Sequence, residues 1–265
     1  MSHISYSALK IFNECPFKYK LLYEDKVAKS NGSEYTSFGT ALHEAAELKV
    51  QDETVNEQDI FLNKFESEIK LLKEQKEVDE KLVEEMREQG KKLAPQIIPA
   101  LKEHFGEFKL LAAEEDIYEV IKEVPEMQYA FKGFIDLIVQ TPDSKIHILD
   151  WKSCAWGWDQ KKKSDPMVTY QLTFYKYFYS QKHNVDPKSI ETYFALLKRT
   201  AKKNNVEIFR VTSGSKKTEN AFNMLKKALY NIDKKNFPKN RMGCTYCEFK
   251  KTEHCPWKKE SFQLY

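Results

Sequence analysis

The chain has 265 residues, 43 Lys and Arg against 40 Asp and Glu, a formal net charge of +3 and five cysteines. That length leaves room for one or two domains with a sizeable core. A composition 41% hydrophobic and 13% aromatic excludes disordered, collagen-like and small disulfide-stapled chains.

The start, Met1-Ser2-His3-Ile4-Ser5-Tyr6, lacks the basic and apolar blocks of an export signal, and no apolar run approaches the roughly 20 residues that span a bilayer. An odd cysteine count in an unexported chain points to reduced thiols or metal ligands. A soluble cytoplasmic protein with no membrane partner is expected. The net charge hides an asymmetry. Residues 1–151 carry 19 basic and 30 acidic side chains, a net of −11, and residues 152–265 carry 24 and 10, a net of +14. Such a split suggests a polyanion-binding face built mostly from the second half.

In chain order, Ser5–Tyr23 reads as an N-terminal helix, with Leu9, Phe12 and Leu21 at helical intervals around Cys15-Pro16. A second helix begins near Ser37-Phe38-Gly39-Thr40 and runs through His43 and Glu47. Asp52–Phe105 is charged and helix-prone, with a 3.6-period stripe of Leu62, Phe65, Ile69 and Leu72. Its acidic stretch reads as a helical insertion over residues 51–106. From Ala113 the texture turns to strands: Ile117–Val124, Tyr129–Gln140 and Lys145–Lys152, the last two separated by the turn residues Thr141-Pro142-Asp143-Ser144. Met167–Lys182 reads as a helix, Ile190–Lys198 and Val206–Val211 as a strand pair, and Ser215–Lys234 as another helix. Residues 237–265 form a tail with three cysteines. The whole is expected to be a single α/β domain.

The most informative stretch is Gly133-Phe134-Ile135-Asp136-Leu137, followed by Ile148-Leu149-Asp150-Trp151-Lys152. A three-residue loop of Pro142, Asp143 and Ser144 pairs Thr141 with Lys145, and the same register sets Asp136 opposite Asp150. Lys152, two residues on, shares their face. Two carboxylates opposed in an apolar sheet repel each other; a hard divalent ion such as Mg²⁺ or Mn²⁺, which takes carboxylate oxygens and keeps several waters, relieves the conflict. Such an ion supplies a nucleophilic water and steadies charge on a phosphoryl oxygen, with Lys152 placed to orient or activate that water and to screen the charge that develops. The plainer alternative is an ordinary hairpin with both aspartates at wet strand ends.

Three soft ligands lie within twelve residues: Cys244 and Cys247 as a C-x₂-C pair, then Cys255. A tetrahedral site wants a fourth, and Cys15 is available, whereas Cys154 sits beside Lys152. Four thiolates suit zinc or an iron–sulfur cluster. Beyond Lys152, Trp156 and Trp158 adjoin Lys161-Lys162-Lys163, and Lys198-Arg199 and Lys202-Lys203 follow. Rings beside ammonium groups suit a single nucleic-acid strand, although tryptophans packed inward under a solvated loop fit the same residues. Nothing reads as a base-specific motif.

Gly-x-Ile-Asp136 followed by Asp150-x-Lys152 resembles the core signature of the PD-(D/E)XK nuclease superfamily, and more closely its RecB/AddB-type and CRISPR-adaptation exonuclease branch. Gly39-Thr40-Ala41-Leu42-His43 is similar to that branch's helical motif, and Gln171-Leu172-Thr173-Phe174-Tyr175 to its downstream helix motif. The resemblance implies a restriction-endonuclease-like core, a central mixed β-sheet flanked by helices. It implies Asp136, Asp150 and His43 as metal ligands, with Lys152, Gln171 and Tyr175 completing the catalytic set. Glu115 falls near a strand glutamate of the family, with Glu114 beside it making the alignment ambiguous; Glu47, one turn beyond His43, is placed to orient the histidine ring. Ser153 stands where the branch commonly has threonine. The resemblance also implies a [4Fe–4S] cluster on Cys15, Cys244, Cys247 and Cys255, including the prolines after the first and last of these, with structural zinc as the alternative.

The expected activity is metal-dependent hydrolysis of DNA, by an exonuclease on single strands or DNA ends in recombination, repair or viral DNA processing, in the host cytoplasm if viral. No phosphate-binding helicase loop is present, so unwinding would fall to a helicase or recombination partner. Two further readings are a structure-specific endonuclease on branched or flapped DNA and a non-catalytic DNA-binding module with a structural metal cluster.

Overall fold

In a computed structural model of the chain, residues 1–27 and 32–255 are described. The elements are β1 (Ser2–Ser5), α1 (Tyr6–Glu14), α2 (Pro16–Tyr19), a π-turn (Lys20–Glu24), α3 (Glu34–Gln51), α4 (Glu57–Lys73), α5 (Glu80–Phe105), β2 (Lys109–Val120) and β3 (Tyr129–Gln140). Then come β4 (Ile146–Cys154), α6 (Gln160–Ser164), α7 (Pro166–His183), β5 (Ile190–Lys198), β6 (Val206–Val211) and α8 (Ser215–Asp233). They form two compact units, one from residues 1–30, 121–130 and 222–265, the other from 31–120 and 131–221.

The larger unit holds a mixed sheet in the order β2-β3-β4-β5-β6. β3 and β4 are antiparallel, β4 and β5 parallel, and β5 and β6 antiparallel. The parallel step demands a crossover, which α7 provides. Side chains alternate across the sheet. One face sends Leu137, Val139, Leu149, Trp151, Tyr193, Ala195 and Leu197 into a core with Phe38 and Leu42 of α3, Phe61 and Phe65 of α4, and Met86 and Ile97 of α5. The residues between them on β4, Asp150 among them, point to the opposite face.

α3 starts where Ser33 and Thr36 close a reciprocal capping box, the Ser33 hydroxyl accepting from the Thr36 amide at 3.2 Å. α7 starts where Asp165 caps the Met167 amide at 2.8 Å and Pro166 occupies the first turn; it ends on Asn184 in the left-handed conformation.

Three expected elements differ in the structure. The N-terminal helix breaks at Cys15, which is extended (φ −159°, ψ 108°), because Pro16 drives its predecessor out of the helical region. The run 52–105 divides into α4 and α5 around residues 74–79. α5 packs on β5 and β6, α4 packs on α3 and α5, and the apolar side chains of both join the core on this face of the sheet. β2 lies earlier than the alternation of Ile117–Val124 suggests. Glu114 inside it has a left-handed φ of 52°, a bulge that hides the period on its N-terminal side, and Pro125 opens a short 3₁₀ turn beyond Val120. No helix among the described residues is long and apolar enough to cross a membrane.

Candidate active site

The expected hairpin register is the observed one. The Thr141 amide donates to the Lys145 carbonyl at 3.1 Å, Ser144 is left-handed (φ 64°) and the Ser144 amide returns to the Thr141 carbonyl at 2.9 Å. From there the ladder runs from Gln140 opposite Ile146 to Leu137 opposite Leu149. The next pair in that register is Asp136 and Asp150, where the ladder stops. The Trp151 amide donates instead to the Asp136 carboxylate, at 2.7 Å from Oδ2. The strands part at the two acids, and a side chain takes the hydrogen bond a backbone carbonyl would have accepted.

Asp150 is only 2% exposed. One oxygen accepts from the Gln171 amide at 2.7 Å, and Oδ2 forms an ion pair with the Lys152 ammonium without other hydrogen-bond support. Burial pushes its carboxyl up, to about 6; the Lys152 charge opposes this and the Asp136 charge adds to it. Burial lowers the Lys152 ammonium, but the charges of Asp150 and Asp136 outweigh burial and hold its pKa above the ordinary lysine value. Lys152 is therefore a cation.

His43, on α3, brings Nδ1 to 3.6 Å from Asp136 Oδ1. Its pKa is raised: burial lowers it, and the hydrogen bond and charge of Asp136 overcome that. The helix can come this close because Gly39, one turn before His43, has no side chain; a Cβ there would lie 3.1 Å from Ser153 Oγ on β4. On α7, Gln171 Nε2 also donates to the Tyr175 hydroxyl at 3.0 Å. Burial and the neighbouring Asp150 charge raise the Tyr175 hydroxyl far beyond its ordinary range, so it stays protonated. Gly133 makes room for the Tyr175 ring, which would meet a Cβ at 2.9 Å.

His43, Asp136, Asp150, Lys152, Gln171 and Tyr175 are thus gathered by α3, the β3–β4 hairpin and α7. Two neighbours go elsewhere. Glu47 accepts from Gln51 at 3.2 Å, so His43 is oriented by Asp136 and not by Glu47. Glu115 pairs with Lys182 (2.7 Å) and His183 (2.8 Å) at the end of α7, whereas the Glu114 charge is felt by Glu47.

In the smaller unit, Cys15, Cys244, Cys247 and Cys255 line one cavity of about 200 Å³, together with Phe17, Leu21 and Phe249. The Asn240 amide approaches Cys15 Sγ at 3.4 Å and the Asn240 carbonyl accepts from Cys244 at 3.8 Å. Burial raises the Cys247 thiol. Cys154 lies apart, on β4 of the larger unit. Pro256 is outside the described residues. Among those residues, no three His, Cys, Asp or Glu side chains converge as a ready-made metal site: Asp136 is engaged by an amide, Asp150 by Lys152 and Gln171.

The lysine-rich loop is sorted by the structure. Trp158 is not an open platform: it packs edge-on to Phe194 at 5.2 Å, and Lys162 covers its ring at 4.7 Å. Lys163 is paired with Glu207, which also binds Lys198 at 3.2 Å. Trp156, by contrast, is 76% exposed.

A mixed sheet flanked by helices, with an aspartate pair and a lysine where two of its strands part, is the restriction-endonuclease-like architecture of a nuclease. A family model for the PD-(D/E)XK nuclease superfamily matches residues 3–255, and the chain belongs to that superfamily. Among solved structures, a protein of Eubacterium rectale provisionally described as an exonuclease is similar in fold at 13% identity, over 93% of this chain and 86% of that one, with a TM-score of 0.60. SSO0001 matches at 16% identity over 88% and 91%, with a TM-score of 0.39. No curated protein sequence matches the chain.

Proposed function

We propose that the protein is a Mg²⁺- or Mn²⁺-dependent deoxyribonuclease, acting as an exonuclease on single-stranded DNA or DNA ends. The observation that carries the reading is Asp150. A carboxylate this buried, opposite a second aspartate and raised to about 6, holds negative charge that a lone lysine leaves only partly compensated. An oxygen-rich set with one imidazole fits a hard divalent cation, which Asp136, Asp150 and His43 would hold. When bound, such an ion polarises a phosphodiester and lowers the pKa of water. The chain's own residues do the rest. Gln171 fixes the Asp150 carboxylate, Tyr175 fixes Gln171, and Lys152 is placed to orient the attacking water and to stabilise charge that builds on the phosphate.

The four-cysteine cavity supports a structural [4Fe–4S] cluster. Four thiols lining one cavity fit either group by their chemistry, with structural zinc as the alternative. Without a helicase loop, unwinding of duplex substrate falls to a partner, in recombination, repair or viral DNA processing. An end-labelled single strand and a closed single-stranded circle, each incubated with Mn²⁺, test the mode. The strand is expected to be consumed and the circle spared. A nicked circle would make the enzyme an endonuclease.

A further inference from the structure

Resting on the nuclease reading, we infer that Trp156, with the Arg199–Tyr35 pair, forms a base-stacking rim that selects single-stranded DNA for this site. The chain leaves β4 two residues after Lys152, and that exit is held firmly. The Arg199 amide donates to the Cys154 carbonyl at 2.9 Å, and the Thr200 amide and hydroxyl both donate to the Ala155 carbonyl, at 3.1 and 2.8 Å. Gly157, at φ 119°, turns the chain away in a conformation closed to other residues. Trp156 stands between these anchors with its ring in solvent, making no contact with another ring or cation among the described residues. A large apolar side chain held out by three hydrogen bonds has no packing role; the fold presents it.

The same turn carries the second element. Arg199 places its guanidinium over the ring of Tyr35 at 5.1 Å and donates to Gln89 of α5 at 3.0 Å. Tyr35 is 53% exposed and lies on α3, two turns before His43. Arg199 and Tyr35 thus form a cation–π pair next to the anchor of Trp156. Lys202 and Lys203, both exposed in this turn, supply the positive charge that a phosphate backbone needs. Every base offers a face to an aromatic ring, so stacking is tolerant of sequence, but the bases must be unpaired. The rim therefore reads strandedness.

The test uses full-length, cluster-loaded protein and a fluorescein-labelled oligo(dT), with EDTA present so that nothing is cut. Trp156→Ala is expected to weaken binding by roughly tenfold, with the salt dependence unchanged, because no phosphate contact is lost. Trp156→Phe is expected to restore most of the affinity. Lys202→Ala with Lys203→Ala is expected to reduce the salt slope instead. An oligonucleotide of abasic units is expected to bind wild type and Trp156→Ala equally weakly. Equal oligo(dT) affinity for Trp156→Ala and wild type would overturn the inference, as would equal losses on the abasic strand. Cleavage with Mn²⁺ is scored separately: a wild type that cuts nothing but shows the Trp156 effect fails as a nuclease and keeps the stacking rim.

Discussion

Asp150 concentrates the chemistry of the fold. Its neighbours were legible in the sequence: the turn residues of 141–144 and the aliphatic runs on either side fix the register, and register fixes which acids face each other. The partners that modulate it were less legible. The amide of Trp151 on Asp136 is a backbone group with no sequence signature, and the Gln171 amide on Asp150 comes from a helix whose approach only the fold displays. The pKa has a direct consequence. Raised from the ordinary carboxylate value to about 6, Asp150 carries a proton below that pH and an ion must displace it. His43, raised as well, adds a proton in the same direction. Mn²⁺ affinity of the DNA-free protein, followed by electron paramagnetic resonance, should be flat above about pH 8 and fall at least tenfold per unit below about pH 6. An affinity constant from pH 5 to 8 would remove both groups from the metal site.

At the scale of elements, residues 51–106, expected as a helical insertion, form α4 and α5 and share a core with α3. Their 3.6-residue stripe announced amphipathic helices, but a stripe does not say what it faces, and on α4 it faces α3 and α5. Gly90 shows how tightly. A Cβ on this buried α5 residue would sit 1.9 Å from the Phe61 ring, in a cluster where Phe61 and Phe65 stack at 5.5 Å. Gly90→Ala adds up to about 1 kcal/mol of helix propensity but forces the ring out of a full core, at about 1–3 kcal/mol. A net destabilisation of about 1–2 kcal/mol is expected, read as a lower urea midpoint. A raised midpoint would mean that α4 and α5 pack less closely than described. The strand ends were hardest to read, because Glu114 breaks the alternation within β2 and Val124 extends it past the strand.

Across the molecule, the charge asymmetry of the sequence meets a specific surface. The net of +14 beyond residue 151 is not uniformly available: Lys163 and Lys198 are bound to Glu207 and Lys162 to Trp158, whereas Lys202 and Lys203 are exposed in one turn. The four cysteines, up to 240 positions apart in the chain, meet around one cavity, a convergence that spacing suggested and only the fold displays. If they hold a cluster, its binding free energy is folding free energy. Cys247→Ala should then yield protein without visible iron–sulfur absorption that is insoluble or cut rapidly by protease. A colourless variant of full stability and activity would refute the structural role.

The central claim is metal-dependent hydrolysis of DNA at Asp136, Asp150 and Lys152. The most direct measurement is release of labelled nucleotide from a single strand, with Mg²⁺ or Mn²⁺, by the wild type and by a folded Asp150→Ala variant. Release by the wild type alone, abolished by EDTA, is expected. Equal release by the two proteins, or none from cluster-loaded wild type with either metal, would contradict it.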